Sequence, residues 1–115
     1  MYALKNKVQL IGYVGKQPDI RNTEAGKKWA RFNVATSEVY RNAKGEKVTD
    51  TQWHTLVAWG KLAELAEKYI NKGTEVAVGG KLVNRSYADK EGNKKYVTEI
   101  QVNEVLLLGG KPAEK

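Results

Sequence analysis

The stretch Thr51-Gln52-Trp53-His54-Thr55-Leu56-Val57-Ala58-Trp59 runs without a linker into Gly60-Lys61-Leu62-Ala63-Glu64-Leu65-Ala66, and its period changes on the way. In the first part the side chains sort by twos. Trp53, Thr55, Val57 and Trp59 fall on one side of a strand, and Gln52, His54, Leu56 and Ala58 on the other. In the second part Leu62, Leu65, Ala66, Tyr69 and Ile70 recur at the i, i+3, i+4, i+7, i+8 positions of one helix face, which predicts a helix over Lys61 to Asn71. Gly73 follows at a place suited to a C-terminal cap. Leu56 and Ala58 are of a size that fits a narrow interior, so the two tryptophans of the strand are expected outside.

Working outward, turn residues separate further strand-like stretches. Upstream lie Lys7 to Val14, with Gly12 able to supply a bend or bulge, and Trp29 to Ser37. In the latter Ala30, Phe32, Val34 and Thr36 share one side, and Arg31 and Asn33 the other. A loop containing Pro18 and a turn at Glu24-Ala25-Gly26-Lys27 connect the two. A long polar loop from Glu38 to Asp50 is expected next, with a turn at Asn42-Ala43-Lys44-Gly45. Downstream, Glu75 to Tyr87 and Lys94 to Val105 read as a hairpin closed by Asp89-Lys90-Glu91-Gly92-Asn93. Val76, Val78 and Leu82 are expected to point inward, with Lys81, Val83, Arg85 and Tyr87 outward. The order is β-β-β-α-β-β: an all-β, five-stranded Greek-key OB-fold barrel with one helix between strands 3 and 4.

Composition narrows what such a barrel does. The chain has 115 residues, 20 Lys and Arg against 13 Asp and Glu, and a formal charge of +7, which favours phosphate polymers or anionic surfaces as partners. Its longest apolar run, Val105-Leu106-Leu107-Leu108, is too short to cross a bilayer. Met1 to Lys5 has no apolar signal-peptide core, so nothing points to secretion and the cytoplasm is the expected compartment. Without cysteine there is neither a disulfide framework nor a thiolate metal site. The one histidine, His54, has no Ser, Cys or Asp at an informative spacing, and Asp19, Asp50 and Asp89 are scattered through loops. No catalytic residue, metal site or cofactor is expected.

The aromatic residues carry the functional signal. Trp53, Trp59, Tyr40 and Tyr87 are interleaved with cations such as Arg41, Lys44, Lys47, Lys81 and Arg85. Flat rings beside positive charges suit an unpaired nucleic-acid strand, because every base has a π-face to stack and every phosphate can meet a Lys or Arg. Duplex DNA fits less well, since its bases are already stacked and the chain offers no basic recognition helix. Trp29 alone reads as a packing residue. The charges Lys61, Glu64, Glu67 and Lys68 read as the solvated side of the helix, with Lys61 set apart by its closeness to Trp59.

Over residues 5 to 109 the chain also resembles a known family, the bacterial-type single-stranded DNA-binding proteins. The resemblance rests on Asn6-Lys7-Val8 leading to Gly12 and Gly15, on Ala35-Thr36-Ser37-Glu38 and on Thr51-Gln52-Trp53-His54. Gly60-Lys61-Leu62-Ala63-Glu64, Tyr69-Ile70-Asn71-Lys72-Gly73 and Leu107-Leu108-Gly109 complete it. It implies that bases stack on Tyr40, Trp53, Trp59 and Tyr87, and that phosphates meet Lys7, Arg21, Arg41, Lys61, Lys72, Arg85 and Lys95. Thr55 departs from the pattern, standing where members often place Arg. His54 is implied to serve subunit contacts.

The resemblance further implies a homotetramer that protects single-stranded DNA in replication, recombination and repair. The alternative is an accessory OB-fold protein that binds RNA or another replication protein. Members usually end in a long tail with an acidic tip that recruits replication and repair proteins; such partners are expected here only if a natural tail of that kind is present. The domain expectation is a DNA-binding unit over 1–108 and the start of a flexible tail over 109–115.

Overall fold

The computed structural model describes residues 4–108. Six strands and one helix follow in order: β1 (Val8–Val14), β2 (Asp19–Asn22), β3 (Lys28–Arg41), β4 (Lys47–Trp59), α1 (Lys61–Tyr69), β5 (Glu75–Ala88) and β6 (Lys94–Leu107). Five of the strands form a closed circuit, β1-β5-β6-β4-β3 and back to β1, while short β2 pairs only with β3 outside it. All pairings are antiparallel except β4 with β6, where Leu56 meets Ile100 and Val57 meets Gln101. This is the closed OB-fold-like barrel expected from the element order. Segment 19–22, expected as loop, is the strand β2.

Closure depends on one close approach. β1 follows β5 from Val8 to Tyr13 and reaches β3 only at Tyr13–Ala35 and Val14–Val34. A Cβ at Gly12 would lie 2.1 Å from the Ala35 carbonyl oxygen, so only glycine lets the two backbones meet there.

Alternation then fills the interior. Phe32 stands opposite Leu56, Ala30 opposite Ala58 and Val34 opposite His54, and directly opposed residues share a face. Ala30, Phe32, Val34, Leu56 and Ala58 are buried with Val14, Val76, Val78, Ile100 and Val102. The helix closes one end with Ala63, Ala66 and Ile70. Its buried stripe is therefore narrower than the sequence pattern: Leu62 and Leu65 pack at the margin, and Tyr69, expected on the inner face, is exposed. The helix stops at Tyr69 rather than Asn71, because Ile70 turns to extended backbone to reach the core. Gly73 lies beyond the cap, in the turn where Thr74 donates to the Asn71 carbonyl.

Two hairpins continue past the barrel as two-stranded ribbons. β3 and β4 stay paired out to Arg41–Lys47, so most of the expected polar loop from 38 to 50 is ribbon. β5 and β6 stay paired out to Ala88–Lys94. Both ribbons end in the same turn chemistry. The side-chain oxygen of Asn42 accepts from the backbone N–H groups of Lys44 and Glu46, and that of Asp89 from those of Glu91 and Asn93. Leu82, expected in the core, is exposed. It shares the face of buried Ile100 by register, but β5 loses β1 as a neighbour after Gly80, and at Leu82 the Asn6 side chain takes the place of a strand, accepting from the backbone N–H and donating to the carbonyl.

Leu56 is fully buried where β4 changes neighbours. Leu56→Ala should lower the unfolding free energy by about 2–5 kcal/mol, read as a reduced midpoint in urea with an unchanged slope.

Candidate nucleic-acid interface

The side of β4 that cannot enter the barrel carries its tryptophans. Trp53 is 60% exposed and Trp59 44%. Trp53 lies over Gly15: a Cβ on that glycine would come within 2.4 Å of the indole Cζ3. The ring thus rests on bare backbone, held in place by the absence of a side chain. Gly15 is itself fixed by its N–H donating to the Asn33 carbonyl at 3.1 Å.

Trp59 stands directly opposite Trp29 on β3, with ring centroids 6.0 Å apart and planes tilted by 31°. That separation lies within the favourable range for offset aromatic pairs. Trp29 is half-buried behind its partner. The expectation that it packs is met in this sense, but it packs on the outer face and not in the core. Together the two indoles wall a groove of about 310 Å³, faced by Val83 and Arg85 of β5. Glu99 and Gln101 of β6 line it as well.

Glu99 is the one buried charged residue among the described residues, 5% exposed. It accepts side-on from Arg85, Nε to Oε1 at 2.9 Å and Nη2 to Oε2 at 3.0 Å. Arg31 reaches the same Oε2 at 3.5 Å from the other side. This pairing raises the pKa of the Arg85 guanidinium above its ordinary value, chiefly through the hydrogen bonds and then through the charge of Glu99. Both arginines remain largely exposed, each with donors turned to solvent.

The other predicted positions are scattered around this centre. Tyr87 is 55% exposed and shares a ribbon face with Arg85, opposite Lys95. Tyr40 is 52% exposed, but its register partner is Val48, which places it on the strand face opposite to that of Trp53. The structure therefore does not bring Tyr40 onto one continuous surface with Trp53 and Trp59 by strand parity alone. Arg41, at the tip of the same ribbon, donates to the Gly45 carbonyl.

Arg21 is paired with Asp19 at 3.2 Å and Lys95 with Asp89 at 4.0 Å. Lys61 opens the helix two residues after Trp59. Lys72 is exposed beyond the helix end. Lys7 lines a separate cleft with Gln9 and Glu104, away from the tryptophan groove. The ammonium groups of Lys7, Lys61 and Lys72 meet no partner among the described residues, although the Lys72 backbone N–H donates to Gln17 Oε1 at 3.4 Å.

Sequence reasoning missed Arg31, Glu99 and Gln101 as members of this face. The signal for the last two is their spacing by two with Val97 along β6. The polar members of that row face out, opposite Ile100 and Val102. His54 accepts or donates one hydrogen bond with Thr36 Oγ1 at 3.0 Å. Among the described residues no three His, Cys, Asp or Glu side chains come together as a metal-binding group, and no helix is long and apolar enough to cross a membrane.

Comparison with known proteins agrees with this geometry. Residues 5–108 match the family described as the single-strand binding protein family. Single-stranded DNA-binding protein 1 of Chlorobaculum tepidum is 44% identical over 107 residues, covering 92% of this chain and 66% of that protein. Its namesake in Xylella fastidiosa is 42% identical over 107 residues, covering 92% and 79%. The single-stranded DNA-binding protein of Xanthomonas campestris pv. campestris is 40% identical over 106 residues, covering 92% and 62%. The chain thus spans about two thirds of the length of these curated relatives.

Among solved structures, the Plasmodium falciparum SSB complex with ssDNA superposes with a TM-score of 0.81 at 35% identity, covering 90% of this chain and 94% of that one. A deletion mutant of the single-stranded DNA binding protein from Thermus aquaticus superposes with a TM-score of 0.79 at 27% identity, covering 92% and 51%.

Because Gly15 leaves the space that Trp53 occupies, Gly15→Val should push the indole off its seat without opening the barrel. The expected outcome is a red-shifted tryptophan emission with an unchanged far-ultraviolet circular dichroism spectrum.

Proposed function

This chain belongs to the single-strand binding protein family, and on that premise we propose that it binds unpaired DNA without regard to sequence. Bases stack on Trp53, Trp59, Tyr87 and Tyr40, while the phosphates meet Arg41, Lys61, Lys72, Arg85 and Lys95, with Arg21 and Lys7 further along the path. The observation that carries this reading is the pair of exposed indoles on β4, of which Trp59 shares its groove with the guanidinium groups of Arg31 and Arg85. A ring left in water on a folded barrel costs hydration that a stacked base would recover. The biological role is to coat and protect single strands during replication, recombination and repair, in the cytoplasm with the nucleoid. It is a binding activity without bond-making chemistry.

Assembly as a homotetramer is part of the proposal. From Val8 to Ile11 one edge of β1 pairs with β5, and no strand pairs with the other edge among the described residues. Ile11 and Tyr13 stand exposed along that strand. An open edge flanked by apolar side chains is suited to strand addition from a second copy. We assign the DNA-binding unit to residues 1–108 and the start of a flexible tail to 109–115, which lies outside the described residues. Recruitment of replication and repair proteins depends on an acidic tail.

Titration with a thymidine oligonucleotide should quench tryptophan fluorescence, and unchanged emission at saturating DNA would count against Trp53 and Trp59 as platforms. Trp53→Ala should weaken binding by about 1–3 kcal/mol, the general range for stacking in proteins of this kind rather than a figure obtained from this chain, and leave the melting temperature nearly unchanged. Log affinity should fall linearly with log salt, with a slope of about 0.7 for each neutralised phosphate; a flat line would remove the role given to the cations. Competition by RNA or duplex DNA as strong as that by single-stranded DNA would favour an accessory role instead.

A further inference from the structure

Glu99 poses a problem for the face just described: a buried carboxylate lies in the groove where a polyanion is to run. It is not there for want of alternatives, since Val97 two residues earlier on β6 is apolar. Its charge is not fully cancelled by burial against a single partner either. Arg85 grips it side-on and Arg31 approaches one oxygen from across the groove, so both cations are drawn to the groove's sides with the carboxylate between and beneath them.

We propose that Glu99 is a specificity-determining residue that reserves the groove floor for an uncharged base and keeps backbone phosphates at the rim. This rests on the single-strand-binding reading above. A phosphate entering the groove would meet the carboxylate at short range, in surroundings where water is partly displaced by Trp29, Trp59, Val57 and Val83, and there like charges repel far more than in bulk water. A base carries no charge and gains from the same apolar walls. At the mouth the second edges of Arg31 and Arg85 stay open to solvent, where a phosphate can reach them. The carboxylate thus does two things at once. It fixes two guanidinium groups on neighbouring sides of the groove, and it sets which part of the strand faces inward.

Gln101, beside Glu99 in the register, has a side-chain amide with no hydrogen-bond partner among the described residues. An amide both donates and accepts, so it can meet the edge of any base placed there.

The test compares a thymidine oligonucleotide with an inorganic polyphosphate of equal charge, by competition on the whole chain. Polyphosphate has the charges of a nucleic-acid backbone and nothing to stack. The wild-type chain should prefer the oligonucleotide. Glu99→Gln, which keeps the side chain's shape, should narrow that preference by about tenfold, because polyphosphate gains more than DNA once the floor is neutral. Glu99→Asp should preserve the preference.

The double variant Glu99→Gln with Arg85→Gln leaves the net charge unchanged and removes the carboxylate together with its side-on partner, so that only the longer contact of Arg31 is lost without replacement. The preference should narrow there too. Equal gains for both ligands in Glu99→Gln, or a wild-type preference in the double variant, would overturn the proposal, since net charge alone would then explain the effect. A wild-type chain that binds polyphosphate as well as the oligonucleotide would instead sink the base-stacking reading itself.

Discussion

Five strands close around an interior with room for alanines, valines, a leucine, isoleucines and a single phenylalanine, and that narrowness governs what the outside carries. Period-two alternation sends every second residue to one face, so a strand that gives Leu56 and Ala58 to the core must give Trp53, Thr55, Val57 and Trp59 to the surface. Their exposure is a consequence of barrel size and needs no separate device. The same rule on β3 places Arg31 beside Val57 and Trp29 beside Trp59, and the short parallel contact of β4 with β6 brings Gln101 next to Val57. The groove is the outer counterpart of the packing inside.

Much of this is legible from residues alone because the inner faces alternate strictly. Ala30-Phe32-Val34 and Leu56-Ala58 have no second reading in a half-buried strand, and the change of period at Gly60 announces the helix. The parts that escape are those where burial does not impose a pattern. The ribbon from 38 to 50 buries neither side, with Val39 on one face and Tyr40 and Val48 on the other among polar residues, so no alternation separates a paired strand from a loop. Leu82 looks like core because sequence shows that a residue alternates but not where the next strand ends.

Tyr69 fits the helical stripe by spacing, yet the helix buries Ala63 and Ala66, small residues that let it sit close over the barrel mouth, and Ile70 enters the core only after the helix has ended. Glu99 is illegible for a different reason: Arg85 meets it across the β5–β6 hairpin, but Arg31 on β3 is distant in the chain and reaches it only when the circuit closes.

The charge of the chain also changes meaning once partners are located. Of the cations singled out from sequence, Arg21, Arg85 and Lys95 each face a carboxylate of the same chain. The surface pairs of Arg21 and Lys95 contribute little to stability, but they do set where a guanidinium or ammonium group spends its time, whereas Arg85 serves a buried carboxylate. Lys28, which attracted no notice in the sequence, ties the start of β3 to the helix through Glu67. That pairing raises its pKa, chiefly through the hydrogen bond to Glu67. The positive charge is thus divided between groups held by carboxylates of the chain, Arg31 and Arg85 of the tryptophan groove among them, and ammonium groups such as those of Lys7, Lys61 and Lys72.

The two ribbons lead to a mechanical asymmetry within the molecule. Beyond Ser37 and Leu82 each has only its own partner strand, whereas the barrel strands are joined in a closed circuit around the buried core. Amide protons near Arg41 and Ala88 are then freed by openings confined to the ribbon, while those of Phe32, Leu56 and Ile100 exchange only when the whole domain comes apart. Tyr40 and Tyr87 ride on compliant arms around a stiff hub that carries Trp53 and Trp59, so the two phenols can change position without disturbing the two indoles.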